Sequence, residues 1–187
     1  EQYQSNVKRI NRIVHQDYFK GVDIKTTVKI MSPYEWKSSF IERVNNGSYD
    51  LVVVGHNEHG NEVLFFTDDL TQQLHVPILA CTTGTTLNQE LPALVCTDFE
   101  NVNAGYFKKV NSLTGSPQSP KTILYVNTKK NSLTDEEITK SYKKLVKQYQ
   151  LKNTTLKVKN GVKAIDSIKK EMESAEYQFV ALATQGV

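Results

Sequence analysis

Hydrophobic and polar positions follow two periods along the chain, and they predict helices alternating with strands. Apolar positions recur at helical spacing in residues 3–18, whereas residues 22–30 alternate as a strand does. Residues 49–55 are apolar almost throughout, which is typical of a strand covered on both faces. The prediction reads, in chain order, helix 3–18, strand 22–30, helix 33–45, strand 49–55, helix 64–74, strand 76–80, strand 122–127, helix 135–150, strand 154–161, helix 162–174 and strand 177–183.

Two of the predicted helices begin with a capping box. Ser32 and Glu35 form the first pair, with proline at the first helical position between them, and Thr134 and Glu137 form the second. The segment 82–103 gives no such clear signal, although PALVC at 92–96 is a candidate for a further short strand. The fold class that follows is α/β, with a parallel sheet and helices on both of its faces.

The second half of the chain repeats the order of the first at an offset of 128 positions. Tyr49 falls on Tyr177, Phe40 on Ile168, and Leu51–Val54 on Phe179–Leu182. Apolar character is kept over about 30 positions, which indicates a tandem pair of α/β domains. The expected organisation is a first repeat at 1–103 that lacks its first strand, a linker at 104–120 rich in Gly, Ser and Pro, and a second repeat at 121–187 that lacks its last helix and strand. Because both repeats are incomplete, we expect the sequence to be part of a longer protein.

Charge is unevenly distributed along the chain. Residues 121–187 carry 13 lysines, 7 acidic residues and no arginine. The lysines fall on the polar faces of predicted helices without interleaved aromatic residues, so we interpret them as a solvated surface and expect no nucleic-acid partner. No apolar run approaches the about 18–20 residues that span a bilayer, and residues 1–30 show no signal-peptide pattern.

The chain offers few residues with recognisable catalytic or metal-binding spacing. Cys81 and Cys96 both lie in apolar segments and are predicted to be buried, reduced thiols. His56 and His59 stand near Glu58 and Glu62, but a third ligand is missing, so no metal site is expected. No nucleophile, base and acid are spaced as a catalytic group, and we therefore predict a protein that is not an enzyme.

The order YDLVVVG, then a helix, then VPILA resembles the universal stress protein family. The resemblance implies a phosphate-binding loop of the form G-x2-G-x9-G-(S/T) starting at Gly55, as in the ATP-binding members of that family. Here Glu58 occupies the position of the second glycine, and Asp68 and Asp69 occupy those of Gly and Ser/Thr. Each substitution places a negative charge where phosphate oxygens would approach, so we interpret the loop as degenerate.

A second resemblance concerns tandem domains of this kind. NGSYDLVVVGHN, and the second repeat from LTDEEITKSYKKLV through VKNGVKAIDSIKKEMESAEYQFVALATQG, are similar to the cytosolic C-terminal region of monovalent cation/proton antiporters, namely the plant cation/proton exchangers and the fungal potassium/proton antiporters. The resemblance implies a regulatory and oligomerisation domain at the cytosolic face of a membrane, with no catalysis of its own. Its partners would be the membrane transport domain of the same polypeptide and a second repeat or a second copy of the chain.

Residues at the ends of the two corresponding strands are the candidates for lining a ligand pocket. They are Gly55, His56, Asn57 and Glu58 in the first repeat, and Thr184, Gln185 and Gly186 in the second. No cofactor is expected, and an adenine nucleotide is the ligand to test first. The alternative function is a free-standing universal stress protein that binds ATP or another adenine nucleotide. An enzyme of the same α/β class is a further alternative, which no motif supports.

Overall fold

The structure is a computed structural model that describes residues 2–14, 21–26, 32, 35–56, 70–82, 86, 88–100 and 102–183. The chain divides into two compact units, Glu1–Tyr49 and Asp50–Val187. The prediction of an α/β protein with parallel sheets flanked by helices is confirmed.

The described residues of the first unit include two helices, α1 (Gln2–Val14) and α2 (Trp36–Asn45). The backbone N–H of Glu35 donates to Ser32 Oγ at 3.3 Å, and the Ser32 hydroxyl donates to Glu35 Oε2 at 2.8 Å. The prediction that this pair caps the helix is wrong, because Glu35 is itself the N-cap residue and no side chain makes a capping hydrogen bond there. The helix begins at Trp36, three residues after its predicted start at position 33. Of the strand predicted at 22–30, residues 22–26 are not in a strand and 27–30 lie outside the described residues.

The second unit begins with a two-stranded parallel sheet. Strands β1 (Val52–His56) and β2 (Ile78–Thr82) pair from Val52 opposite Ile78 to His56 opposite Thr82. Residues 70–73, before β2, are helical, whereas 64–69 of the predicted helix lie outside the described residues. Val53 is 62% exposed, so the expectation of a strand covered on both faces is wrong for β1 within the part of the chain that the structure describes.

A four-stranded parallel sheet forms the rest of the second unit. Its strands are β3 (Ala93–Cys96), β4 (Lys121–Asn127), β5 (Thr154–Asn160) and β6 (Val180–Leu182), in the order β5-β4-β3-β6. All three pairings are parallel. Counted from β3, the order is 3-2-1-4, which is the beginning of the doubly wound order.

Helices cover both faces of this sheet, as a doubly wound fold requires. On one face, α3 (Ala104–Leu113) and α4 (Asp135–Gln148) pack on β3 and β4. On the other, α5 (Ala164–Ser174) places Ile168 against the same two strands. Alternate side chains of β3 therefore enter different cores: Val95 faces α3 and α4, whereas Leu94 and Cys96 face α5.

The segment 104–120 has the composition of a linker, but its first ten residues form α3. Phe107 is 2% and Val110 is 3% exposed, and both belong to the core on that face of the sheet. The remaining residues form a turn that is anchored to the sheet, since the buried Lys121 donates through Nζ to the carbonyl oxygens of Pro117 and Ser119 at 3.1 and 2.8 Å. The linker prediction is therefore wrong for this segment, because buried apolar contacts outweigh its Gly- and Ser-rich composition.

The predicted boundary between the repeats also differs from the observed organisation. Strand β3 falls in the predicted first repeat, yet it lies between β4 and β6 at the centre of the sheet that the second repeat builds. At the level of single elements, α2 and α5 begin 128 positions apart, at Trp36 and Ala164, as do β1 and β6, at Val52 and Val180. The strand predicted at 177–183 is shorter than expected, and Leu182 at its end is 47% exposed.

The capping box of α4 is confirmed. Thr134 Oγ1 accepts from the N–H of Glu137 at 3.3 Å, and Glu137 Oε2 accepts from the N–H of Thr134 at 2.8 Å. The hydrogen bonds that Glu137 Oε2 accepts from the N–H and from the hydroxyl of Thr134 hold the pKa of the Glu137 carboxyl below its ordinary value, because they favour its ionised form. The capping hydrogen bonds also fix the start of α4 immediately after the loop that follows β4.

Candidate ligand crevice at the strand-order switch

The strand order reverses at β3, and this reversal defines the place where a doubly wound sheet binds its ligands. From β3 the chain crosses by α3 to β4 on one side, whereas β6 arrives by α5 on the other. In sheets of this order, the ligand crevice lies outside the carboxyl ends of the strands at the reversal, which are here β3 and β6, where Cys96 pairs with Leu182. We call this region the switch crevice, formed by residues 97–100 after β3 and by Ala183 after β6.

A tight turn follows β3 and shapes one wall of the switch crevice. Thr97 Oγ1 accepts from the N–H of Phe99 at 2.8 Å, and Asp98 Oδ1 accepts from the N–H of Glu100 at 3.0 Å. Phe99 adopts a positive φ of 69°, which is uncommon for an aromatic residue. Its ring stacks on Tyr125 of β4 with a centroid separation of 5.0 Å and an interplanar angle of 17°. The stacking holds the turn against the sheet.

Helix α3 begins at the same edge and is capped. Asn103 Oδ1 accepts from the N–H of Tyr106 at 3.0 Å, and the Tyr106 hydroxyl reaches the carbonyl oxygen of Cys96 at 3.5 Å. Burial is the main reason why the pKa of Tyr106 lies above its ordinary value. The hydroxyl therefore remains protonated and can donate to the end of β3.

The electrostatic character of this edge is acidic. Burial raises the pKa of Tyr125 above its ordinary value, and the negative charges of Asp98, Glu100 and Glu137 raise it further. The Tyr125 hydroxyl donates to the carbonyl oxygen of Asn131 at 2.7 Å. Three carboxylates near one phenol favour hydroxyl, amine or cationic groups of a ligand over its phosphates.

The structure places only part of the predicted pocket. Gly55 and His56 end β1, opposite Cys81 and Thr82 of β2. Thr184, Gln185 and Gly186 follow Ala183 at the switch crevice, but they lie outside the described residues, as do Asn57 and Glu58. Sequence reasoning missed residues 97–103 altogether. The available signal was the apolar run PALVC followed by Thr97, Asp98 and the capping residue Asn103.

A second cluster lies on the α5 face of the sheet, around the carboxylate of Glu171. This side chain has no exposed surface, and it accepts hydrogen bonds from Lys157 Nζ and from the Tyr177 hydroxyl. Lys159 Nζ lies 3.0 Å from its second oxygen. Burial alone would raise the pKa of Glu171, but its contacts with Lys157, Tyr177 and Lys159 outweigh burial and lower the pKa to about 2. Glu171 is thus ionised at neutral pH.

Cys96 lies beside this cluster and offers a first test of the structure. Burial, and then the negative charge of Glu171, raise the pKa of its thiol from 9.0 to about 12. Such a shift lowers the thiolate fraction about a thousandfold at neutral pH, and the thiolate is the reactive species. In a Cys81→Ser variant we therefore expect iodoacetamide to modify Cys96 at least about 100-fold more slowly in the folded protein than in guanidinium chloride. Mass spectrometry of timed samples measures the rate; equal rates in both states would contradict the burial of Cys96.

Comparison of the chain with protein-family models, with curated proteins and with solved structures finds no match. Within the described residues, no helix is both long and apolar enough to cross a membrane. Across the same residues, no group of three or more His, Cys, Asp or Glu side chains is arranged to hold a metal ion.

Proposed function

We propose that this chain is a regulatory and self-associating region of a monovalent cation (potassium)/proton antiporter, situated at the cytosolic face of the membrane. The observation that carries the proposal is the shared offset of the elements: α2 and β1 recur as α5 and β6 at 128 positions, in the segments whose sequences resemble such antiporters. Transport itself belongs to a membrane part of the same polypeptide.

The sheet supports a role in association. Strands β5 and β6 form the two edges of the four-stranded sheet, so each presents backbone groups that can pair with a further strand. A second repeat or a second copy of the chain is the partner that the resemblance implies. A ligand in the switch crevice would contact the turn after β3 and the residue after β6. Its binding would therefore be coupled to the position of β6, one of the two strands available for pairing.

Reading the parent open reading frame tests the proposal most directly. A hydropathy scan with a window of about 19 residues is expected to find about ten or more apolar spans upstream of residue 1. An open reading frame without such spans would overturn the proposal.

If the spans are present, potassium/proton exchange in vesicles tests the regulatory role. Two full-length proteins are compared, one with Phe107→Ala, which disrupts the core under α3, and one with Lys108→Ala, which changes an exposed neighbour. We expect the first variant to alter the exchange rate at equal protein abundance and the second to leave it unchanged. Identical rates would show that the region does not regulate transport.

A free-standing nucleotide-binding protein is the second candidate, and the doubly wound strand order favours it. Sheets of this order bind nucleotides at the switch point, which lies at the carboxyl ends of β3 and β6. In the sequence, Thr184, Gln185 and Gly186 come shortly after β6, outside the described residues. The acidic residues Asp98 and Glu100 at the same edge argue against phosphate groups there. Calorimetric titration with ATP, ADP, AMP and cyclic dinucleotides decides this point. A dissociation constant in the micromolar range would support this candidate, and no binding below about 1 mM would exclude it.

A further inference from the structure

A small cavity lies at the turn that connects β5 to α5, apart from the switch crevice. Its volume is about 230 Å³. The lining includes Gly161 in the turn, Lys159 at the end of β5, and residues of the first two turns of α5: Asp166, Ser167 and Lys170, with Lys163 at the N-cap. The space is large enough for a phosphate group together with a short organic substituent.

The N-terminus of α5 is open towards this cavity. Lys163 is the N-cap residue, with φ −122° and ψ 133°, and its side chain makes no capping hydrogen bond. The N–H groups of Ala164, Ile165 and Asp166 have no partner within the helix, since the first turn of any helix leaves them unpaired. They present the positive end of the helix dipole to whatever occupies the cavity.

Ser167 supplies an independent observation at the same place. The residue is only 7% exposed, it lines the cavity, and within the described part of the chain its hydroxyl makes no hydrogen bond. The hydroxyl lies against the turn, because a Cβ added to Gly161 would come within 2.2 Å of Ser167 Oγ. Ser167 Oγ is not one of the fully enclosed unpaired side-chain atoms, so the hydroxyl opens onto the cavity and is available to bond to a group there.

The charges around the cavity favour an anion. Lys159, Lys163 and Lys170 contribute three positive charges, and Asp166 contributes one negative charge. Lys159 is partly neutralised because its Nζ lies 3.0 Å from the Glu171 carboxylate. Lys163 and Lys170 are exposed lysines that retain their charge for a ligand. The balance is the opposite of that at the switch crevice, where carboxylates prevail.

We propose that the turn between β5 and α5 binds a phosphate dianion or a small phosphate monoester. The N–H groups of the first turn of α5 and the hydroxyl of Ser167 donate hydrogen bonds to the phosphate oxygens, and Lys163 and Lys170 balance its charge. Gly161 keeps the turn close to Ser167, where a side chain would fill the space. The negative charge of Asp166 repels the phosphate and therefore lowers the affinity of the site. The site is independent of the proposed regulatory function. The outcome of the phosphate titration does not test that function, and the tests of that function do not decide whether phosphate binds.

Amide chemical shifts in the ¹⁵N-labelled chain of 187 residues test this proposal. The chain is titrated with inorganic phosphate, with glycerol 3-phosphate and, at matched ionic strength, with chloride. We expect saturable shifts at Gly161 and at residues 164–167 with the phosphates but not with chloride. Tighter binding of glycerol 3-phosphate would assign the site to a phosphorylated metabolite, and equal or weaker binding would assign it to free phosphate.

Four variants make the test specific. Lys163→Gln should raise the dissociation constant about threefold to tenfold, Ser167→Ala should raise it similarly, and Asp166→Asn should lower it by a comparable factor, because each changes one charge or one hydrogen bond at the site. Lys144→Gln, on the exposed face of α4, is the matched control and should have no effect. Shifts no larger than those with chloride, or an affinity that Lys163→Gln and Lys144→Gln change equally, would overturn the proposal. If the Ser167→Ala variant fails to fold, the Lys163→Gln and Asp166→Asn variants still test the proposal, because both positions are exposed.

Discussion

Phe107→Ala is expected to lower the free energy of unfolding by about 3–5 kcal/mol, a large part of the stability of a domain of this size. Phe107 is 2% exposed and belongs to the core formed by Val95 of β3, Ile123 of β4 and Leu145 of α4. Its ring lies 4.8 Å from that of Tyr149 and 5.2 Å from that of Tyr106. Removal of the ring deletes these contacts and leaves a cavity that close-packed neighbours cannot fill.

Urea unfolding followed by far-ultraviolet circular dichroism measures this effect. Lys108→Ala is the matched control, since Lys108 occupies the next position of α3 with its side chain exposed, and its free energy of unfolding should change by less than about 0.5 kcal/mol. Equal midpoints for the two variants would mean that residues 104–113 behave as a linker, as their composition indicates, and that α3 does not pack on the sheet.

Glu171→Gln is expected to lower the free energy of unfolding by about 2–3 kcal/mol at neutral pH. The pKa of Glu171 falls from 4.5 to about 2 on folding, so ionised Glu171 stabilises the folded state at every pH above 4.5. The contribution is lost progressively as the pH falls from 4.5 towards 2, where the folded protein takes up the proton as well. The expected loss of free energy of unfolding is smaller than the free energy that corresponds to the whole pKa shift. The reason is that the side chains of Lys157 and Lys159 are 40% and 37% exposed, so water screens their charges.

The stability difference between wild type and Glu171→Gln, measured by urea unfolding at a series of pH values, should therefore shrink as the pH falls below 4.5. Glu173→Gln serves as the control, because Glu173 is an exposed residue of the same helix and should show only a small, weakly pH-dependent effect. A difference that stays constant between neutral pH and pH 2 would show that Glu171 acts through its shape and not through its charge.

The long, strongly periodic segments were the ones that the sequence predicted well. Helix α4, from Asp135 to Gln148, begins at the expected capping box, and β4 and β5 fall within a residue of their expected starts. Such segments carry their own signal, because the period of apolar positions depends only on local geometry.

Helix α3 was missed for a physical reason. Gly105, Asn111 and Ser112 have low helix propensity, and the residues rich in Gly, Ser and Pro at 114–120 follow directly. The composition of the whole segment therefore indicates a linker, although its apolar positions (Tyr106, Phe107, Val110 and Leu113) have helical spacing. Burial of Phe107 and Val110 against the sheet stabilises the helix in spite of this composition. Tertiary contacts of that kind are not encoded in any short window of sequence.

The candidate sites show the same limit. Glu171 stands in the sequence among Lys169, Lys170 and Glu173 as an ordinary polar residue of a helix. Its partners Lys157 and Lys159 come from β5, and only the packing of α5 on the sheet brings them to its carboxylate. The switch crevice depends likewise on β3 lying between β4 and β6, which a run of four residues does not reveal.

The central position of β3 has a consequence for the order in which the chain assembles during synthesis. Leu94 must pair with Val180, so β3 keeps one edge without its strand until nearly the whole second unit has left the ribosome. The pairing with β4 can form much earlier, because Ala93 pairs with Lys121 across a far shorter loop. A nascent chain that stops before β6 therefore leaves β3 as an exposed apolar edge strand, and strands of this kind are prone to pair with other chains.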